Sequence, residues 1–212
     1  VGDARAAAVV TAGLSSWVAL TLRAGFQRGE SVLINGATGS AGGLAVQIAA
    51  WLGAGRIIAT GRDRQKLDKL PAGVEKIVLD ESADEALKQV FSGRVDVVLD
   101  YLWGEPASRI ISQATANRGS RLGEPRLRYI QLGSAAGESI ALSAASLRSS
   151  GLEILGSGIG SLSVQALVNG AGELLTALPQ GGFNTPVRTC ALSDAGRMWN
   201  EDTGDDRLIL IP

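Results

Sequence analysis

Short apolar runs alternate along this chain with longer stretches in which apolar residues recur every third or fourth position. The runs fall at residues 32–35, 56–60, 76–79, 95–99, 129–132 and 153–155 and are rich in Val, Ile and Leu. Near-continuous apolar runs of this length are strands buried on both faces. The stretches at residues 64–70, 83–91 and 106–116 carry the helical period, as does the alanine-rich segment that follows the first run. Alternation of this kind predicts a doubly wound α/β fold, a parallel sheet with helices on both faces. An alanine-rich helical lead-in is expected over residues 1–22, with Asp3 as candidate cap and Gly25 and Gly29 as the stop. Beyond the sixth run, a helix is expected over 161–178, a turn at 179–182 and a strand over 186–192. A short helix capped by Ser193 and a closing strand over 207–212 complete the chain. Residues 1–160 thus form a sheet domain and residues 161–212 a C-terminal part.

Between the first run and its helix lies Gly36-Ala37-Thr38-Gly39-Ser40-Ala41-Gly42. Its spacing departs from G-x-G-x-x-G by placing Ala37 where a glycine would stand, and glycines also serve plain turns. The strand–turn–helix context and a second strand at the βαβ distance favour a dinucleotide pyrophosphate at the helix start. Thr38, Gly39, Ser40, Ala41 and Gly42 are the candidate contacts.

Ligands of an open α/β sheet bind beyond the carboxyl ends of its strands. At the end of the second strand, Thr60 or Gly61 stands where a site for NAD would place a carboxylate, and Arg62 and Lys66 follow. The two cations suit a 2′-phosphate, which favours NADP, although Asp63 could turn toward the ribose. Asp80 and Glu81 follow the third strand and either face the adenine or cap the next helix with Ser82. Asp100, Tyr101 and Trp103 follow the fourth, Asp100 as a strand-end capping group and the aromatics as a nicotinamide wall or as core. The small-residue bends Leu132-Gly133-Ser134 and Gly156-Ser157-Gly158 let backbone approach a ligand at the same edge.

Composition narrows the chemistry. The 212 residues carry 20 Lys and Arg against 21 Asp and Glu, so no nucleic-acid partner is indicated. Four arginines between 118 and 128, without interleaved aromatics, read as a solvated loop. Histidine is absent, which excludes histidine-based nucleophile systems and leaves too few ligands for an ordinary zinc site; no metal is expected. The single cysteine, Cys190, fits a reducing compartment, and cytoplasmic is the default. No run of about 18 apolar residues and no signal peptide is seen, so no membrane partner is expected. A helix ahead of the first strand implies that further chain precedes Val1.

Residues Ala12-Gly13-Leu14-Ser15-Ser16-Trp17-Val18-Ala19-Leu20, the run from Gly29 to Gly39, Gln47-Ile48-Ala49, Gly53-Ala54, Thr60-Gly61-Arg62 and the closing Leu208-Ile209-Leu210-Ile211-Pro212 together resemble the medium-chain dehydrogenase/reductase superfamily, in its quinone-oxidoreductase and alcohol-dehydrogenase-like branches. The resemblance implies a Rossmann cofactor domain plus a short C-terminal remnant returning toward a GroES-like catalytic domain absent from this chain. It implies NADP at Thr38 to Gly42, with Arg62 and Lys66 on the 2′-phosphate. Ser15 would lie near the nicotinamide, flanked by Leu132, Gly133 and Ser134 and by Gly156, Ser157 and Gly158. A homodimer through the strand near 153–155 is a further implication, although the helix that begins near Ser161 could instead cover that strand.

The activity so implied is hydride transfer between NADPH and a quinone, enone, aldehyde or alcohol. No residue is a convincing general acid, and Tyr101 alone is a candidate for test. A nucleotide-binding module without its own chemistry is the alternative. A short-chain reductase is a third, weakened because neither Tyr101 nor Tyr129 has Lys four residues on.

Overall fold

The computed structural model describes residues 2–116 and 118–212; Val1, where the expected lead-in helix begins, lies outside the described residues. Six parallel strands form one sheet: β1 (Ser31–Asn35), β2 (Arg56–Gly61), β3 (Glu75–Val78), β4 (Val97–Asp100), β5 (Leu127–Gln131) and β6 (Leu152–Gly156). Their order across the sheet is β3-β2-β1-β4-β5-β6, with β1 and β4 adjacent at the centre. The chain therefore winds outward from β1 in one direction and, after crossing back, from β4 in the other. This is the doubly wound order whose switch point lies between the two central strands.

Helices cover both faces because the strands are apolar on both. Val32, Ile34, Ala59, Val97 and Leu99 enter one core with α1 (Asp3–Val18), α2 (Ser40–Trp51) and α7 (Val164–Gly181). The alternate residues Leu33, Ile58 and Val98 enter a second core with α4 (Ala83–Ser92) and α5 (Gly104–Thr115). Each of these eight strand side chains has no solvent exposure, and burial of a large aliphatic residue contributes about 1.5–3 kcal/mol.

Helix α1 continues through a wider π-helical turn, Ala19–Ala24, and stops at Gly25 with φ 57°. Asp3 does not cap it; Gly2 is the cap residue and no side chain bonds there. By composition the stretch Asp3–Ala24 is long and apolar enough to cross a membrane, which the sequence had not suggested. Half of it is buried inside the protein, and α1 packs on both α2 and α7.

Several local expectations are corrected. Helix α7 runs through Pro179 rather than ending at 178; the proline falls in the last turn, just before Gly182 stops the helix at φ 63°. A short helix not foreseen, α6 (Ala144–Arg148), is capped by Ser143. Ser193 is not a cap but lies within a 3-10 turn, Leu192–Asp194, ahead of α8 (Ala195–Met198). The C-terminal strands β7 (Val187–Ala191) and β8 (Arg207–Ile211) pair with each other, in parallel, as a separate two-stranded sheet.

The arginine segment is not simply a solvated loop. Arg118 pairs with Glu124 at 3.1 Å and donates to the Phe91 carbonyl. Arg128 belongs to β5 and is 4% exposed, with Nη2 2.5 Å from Glu30 Oε1 and Nη1 2.8 Å from the Ala24 carbonyl. It ties the end of the lead-in helix to the sheet.

At the carboxyl ends of the strands sits a second buried network. Asp100 Oδ1 accepts from Asn35 Nδ2 at 2.7 Å and from the Leu102 N–H at 2.9 Å. Its Oδ2 accepts from Tyr129 Oη at 2.9 Å, and the Trp103 N–H reaches both oxygens at 3.2 Å. Asn35 Oδ1 in turn accepts from Thr60 Oγ1 at 2.7 Å. Desolvation raises the Asp100 carboxyl above its ordinary value, against the pull of these donors.

Two outcomes follow from these networks. Arg128→Met leaves Glu30 without its cation and is expected to lower the unfolding free energy by about 3 kcal/mol in urea titration. A carboxyl whose pKa is raised on folding stabilises most below its ordinary pKa, and that contribution is lost as pH rises through the raised value. The stability of the wild type relative to Asp100→Asn should therefore fall as pH rises above the ordinary aspartate range in parallel urea titrations.

Candidate dinucleotide site

The turn after β1 is held against its neighbour: the N–H groups of Gly36 and Ala37 both reach the Thr60 carbonyl, at 3.2 and 2.9 Å. Gly36 adopts φ 91°, a conformation that favours glycine. The three turn glycines do different work. A Cβ on Gly42 would stand 2.2 Å from the Gly36 carbonyl oxygen, so Gly42 permits helix and turn to touch. Gly39 is exposed, and a Cβ there would meet nothing nearer than 3.7 Å. Its openness faces solvent rather than core.

Gly39 is the cap residue of α2, and no side chain caps that helix. The first bond within the helix runs from the Gly43 N–H to the Gly39 carbonyl at 2.8 Å. The N–H groups of Ser40, Ala41 and Gly42 therefore precede the helical ladder, and the helix dipole adds partial positive charge where they lie. Thr38 lies over Gly61, whose missing Cβ leaves 2.7 Å to Thr38 Cγ2.

Beyond β2, Asp63 is occupied: its carboxylate accepts from the Lys66 N–H at 3.1 Å and caps α3 (Arg64–Asp68). Asp63 thus serves as a helix cap through Oδ1. Arg62 is exposed and, among the described residues, has no ion-pair partner. The Lys66 ammonium pairs with Asp205, from the turn that precedes β8. This contact raises the Lys66 pKa and lowers that of Asp205.

Thr38, Gly39, Ser40 and Lys66 line one cavity of about 600 Å³, together with Gln47, Lys69, Asn184, Asp205 and Asp206. Ala41, Gly42, Gly61 and Arg62 are not among the residues that line it. The C-terminal segment forms its outer wall because Gln47 clasps Asn184, donating to its carbonyl at 2.8 Å and accepting from its N–H at 2.9 Å. Neither Gln47 nor Asp205 was foreseen as a wall of this site. Gln47 was visible only as part of a helical motif, and Asp205 lies 139 positions from Lys66.

The remaining candidates lie along the same sheet edge but outside that cavity. Ser15 Oγ and Tyr101 Oη are 3.5 Å apart, and burial pushes the Tyr101 phenol above its ordinary range. Tyr101 packs toward the α1 side, whereas Trp103 packs in the opposite core, edge-on to Tyr129 at 6.3 Å. The bend at Leu132 and Gly133 is drawn in by N–H bonds to the Asp100 carbonyl, at 2.7 and 3.2 Å, and Ser134 donates to Glu138. Arg23 holds the Gly156 carbonyl at 2.9 Å. The Gly158 N–H donates to Ser161 Oγ at 2.8 Å. Ser157 is buried, and among the described residues its Oγ is the one buried side-chain polar atom without a hydrogen-bond partner.

Asp80 accepts from both the N–H and the hydroxyl of Ser82, which makes it a turn residue ahead of α4. Among the described residues, no group of three His, Cys, Asp or Glu side chains is placed to hold a metal.

No protein-family model matches the chain. The probable NADPH-dependent quinone reductase of Emericella nidulans is 28% identical over 214 positions, 93% of this chain. The chain spans 59% of that relative's length. The phthioceranic/hydroxyphthioceranic acid synthase of Mycobacterium tuberculosis is 38% identical over 107 residues, which are 49% of this chain and 5% of that protein. The structure of a quinone oxidoreductase from Pseudomonas syringae pv. tomato superposes with a TM-score of 0.77 at 24% identity, covering 100% of this chain and 66% of the other. The chain thus shares the fold of that quinone oxidoreductase over its whole length.

Proposed function

We propose that this chain is the NADP(H)-binding domain of an oxidoreductase that moves hydride between NADPH and a quinone, enone, aldehyde or alcohol. The observation that carries the proposal is the start of α2, where an open glycine replaces a side-chain cap and leaves three amides ahead of the helical ladder. The orphaned Ser157 hydroxyl fits the same ligand, because a buried hydroxyl without a partner costs about 1–3 kcal/mol unless something bonds it.

In this reading the amides of Ser40, Ala41 and Gly42 bind the diphosphate. Arg62 and Lys66 bind the 2′-phosphate, and the bends at Leu132, Gly133 and Ser134 and at Gly156, Ser157 and Gly158 bound the nicotinamide half. NADPH, when bound, supplies the hydride. Ser15 and Tyr101 present two hydroxyls on the α1 side of the crevice, and the raised Tyr101 phenol stays protonated at neutral pH.

The similarity to a probable NADPH-dependent quinone reductase of Emericella nidulans supports NADPH and a quinone as partners. The separate β7–β8 sheet supports residues 161–212 as the part that packs toward a GroES-like catalytic domain. The position of β6 as an outer strand of the sheet supports pairing of two copies there. The lone cysteine supports a cytoplasmic location.

Two substitutions test the site. At the cap position of α2 the backbone of Gly39 is extended, which suits aspartate as a helix cap. Gly39→Asp should therefore fold at least as stably as the wild type. Its carboxylate would take the same amides, and NADPH and NADH should both bind at least about tenfold more weakly by fluorescence titration. Ser157→Ala removes the orphan hydroxyl. It should raise the unfolding free energy by about 1 kcal/mol in urea while weakening dinucleotide binding several-fold.

A further inference from the structure

The cavity beneath the glycine turn contains its own anion. Asp205 lies in a turn braced by Thr203, whose carbonyl accepts from the Asp206 N–H at 3.0 Å and whose hydroxyl donates to the Asp206 carbonyl at 2.9 Å. Gly204 adopts φ 59° within it, and its N–H is bound by Asp202 at 2.8 Å. The turn is thus shaped by contacts that do not involve Asp205, whose carboxylate reaches across to Lys66 and lies 4.0 Å from Lys69. Lys66, Lys69, Asp205 and Asp206 all line the cavity that Gly39 and Ser40 open into.

We infer that Asp205 is a specificity-determining residue, an internal stand-in for the 2′-phosphate that NADPH must displace from Lys66 and that NADH need not. The inference rests on the dinucleotide reading of the site. A carboxylate with one negative charge competes with a phosphate for the same ammonium, and both cannot be held at full strength by one Lys66. Arg62, which among the described residues has no ion-pair partner, is the cation that the phosphate meets without displacing a carboxylate. The preference for NADPH over NADH in the native chain is therefore set by the difference between phosphate and carboxylate, not by the cations alone.

The test is a binding comparison in the full chain, read by fluorescence for NADPH and NADH and by calorimetry for adenosine 2′,5′-bisphosphate and adenosine 5′-monophosphate. Asp205→Asn should tighten NADPH and the bisphosphate about threefold to fivefold, as expected for removing an exposed ion pair, and leave NADH and the monophosphate unchanged. Asp194→Asn makes the same change of charge in another exposed ion pair of the C-terminal segment, with Arg197 and away from the residues that line the cavity, and should move none of the four. An equal gain for NADH, an equal gain from Asp194→Asn, or no gain for the two 2′-phosphorylated ligands overturns the role of Asp205 while leaving the site intact. If Gly39→Asp leaves dinucleotide binding unchanged, or the wild type binds neither dinucleotide, the reading of the site fails and the role of Asp205 fails with it.

Discussion

A single buried carboxylate holds the ligand-facing edge of this protein together. Asp100 ends β4 and takes hydrogen bonds from β1 through Asn35, from β5 through Tyr129 and from its own following loop through Leu102 and Trp103. Thr60 extends the network to β2 by way of Asn35. Four of the six strands thus end at a common polar knot in which Asn35, Thr60, Asp100 and Tyr129 are all without solvent exposure. A network of this kind is costly if any member is unpaired and rigid when every member is paired. Here the geometry it sets is that of the crevice floor. The bends after β4 and β5 are drawn onto it, Trp103 is held at φ 54°, and the turn after β1 lies directly alongside.

Onto that floor the amino- and carboxyl-terminal segments add walls. The lead-in helix is anchored by Arg128 and Arg23, two arginines that span the sheet edge from opposite directions. Beyond α7, three polar contacts among the described residues fasten the returning C-terminal segment. Arg5 donates twice to the Phe183 carbonyl, at 3.0 and 2.7 Å, Gln47 clasps Asn184, and Lys66 meets Asp205. Two of these fastenings use backbone atoms of the C-terminal segment and depend little on its side chains. The third is an exposed pair between charged side chains, the kind most easily exchanged for another anion.

The fold was legible because each strand had to be buried on both faces. Val32-Leu33-Ile34 and Val97-Val98-Leu99 are apolar at every position, and only a parallel sheet between two helical layers buries both parities. The same logic made the glycine turn visible, since Gly36, Gly39 and Gly42 sit between a strand and a helix. Sequence could not assign them separate tasks. Gly42 serves a backbone contact with Gly36, while Gly39 is the open one, and only the distances that a Cβ would meet tell them apart. The limits of α7 and the place of Arg128 were misjudged for a related reason. Proline in a last turn costs a helix little, and an arginine is charged in the sequence whether or not the fold supplies Glu30 and a helix terminus to receive it.

By itself, then, the order of residues determined the six strands of the sheet, the long helices that cover it, and where a helix begins on glycines, because these follow from local period and backbone freedom. What only the tertiary structure decided are the pairings between distant residues: Asp100 with Asn35 and Tyr129, Gln47 with Asn184, Lys66 with Asp205. Charge and hydrogen-bonding capacity are written in the chain, but the partner of each depends on which surfaces the apolar core brings face to face.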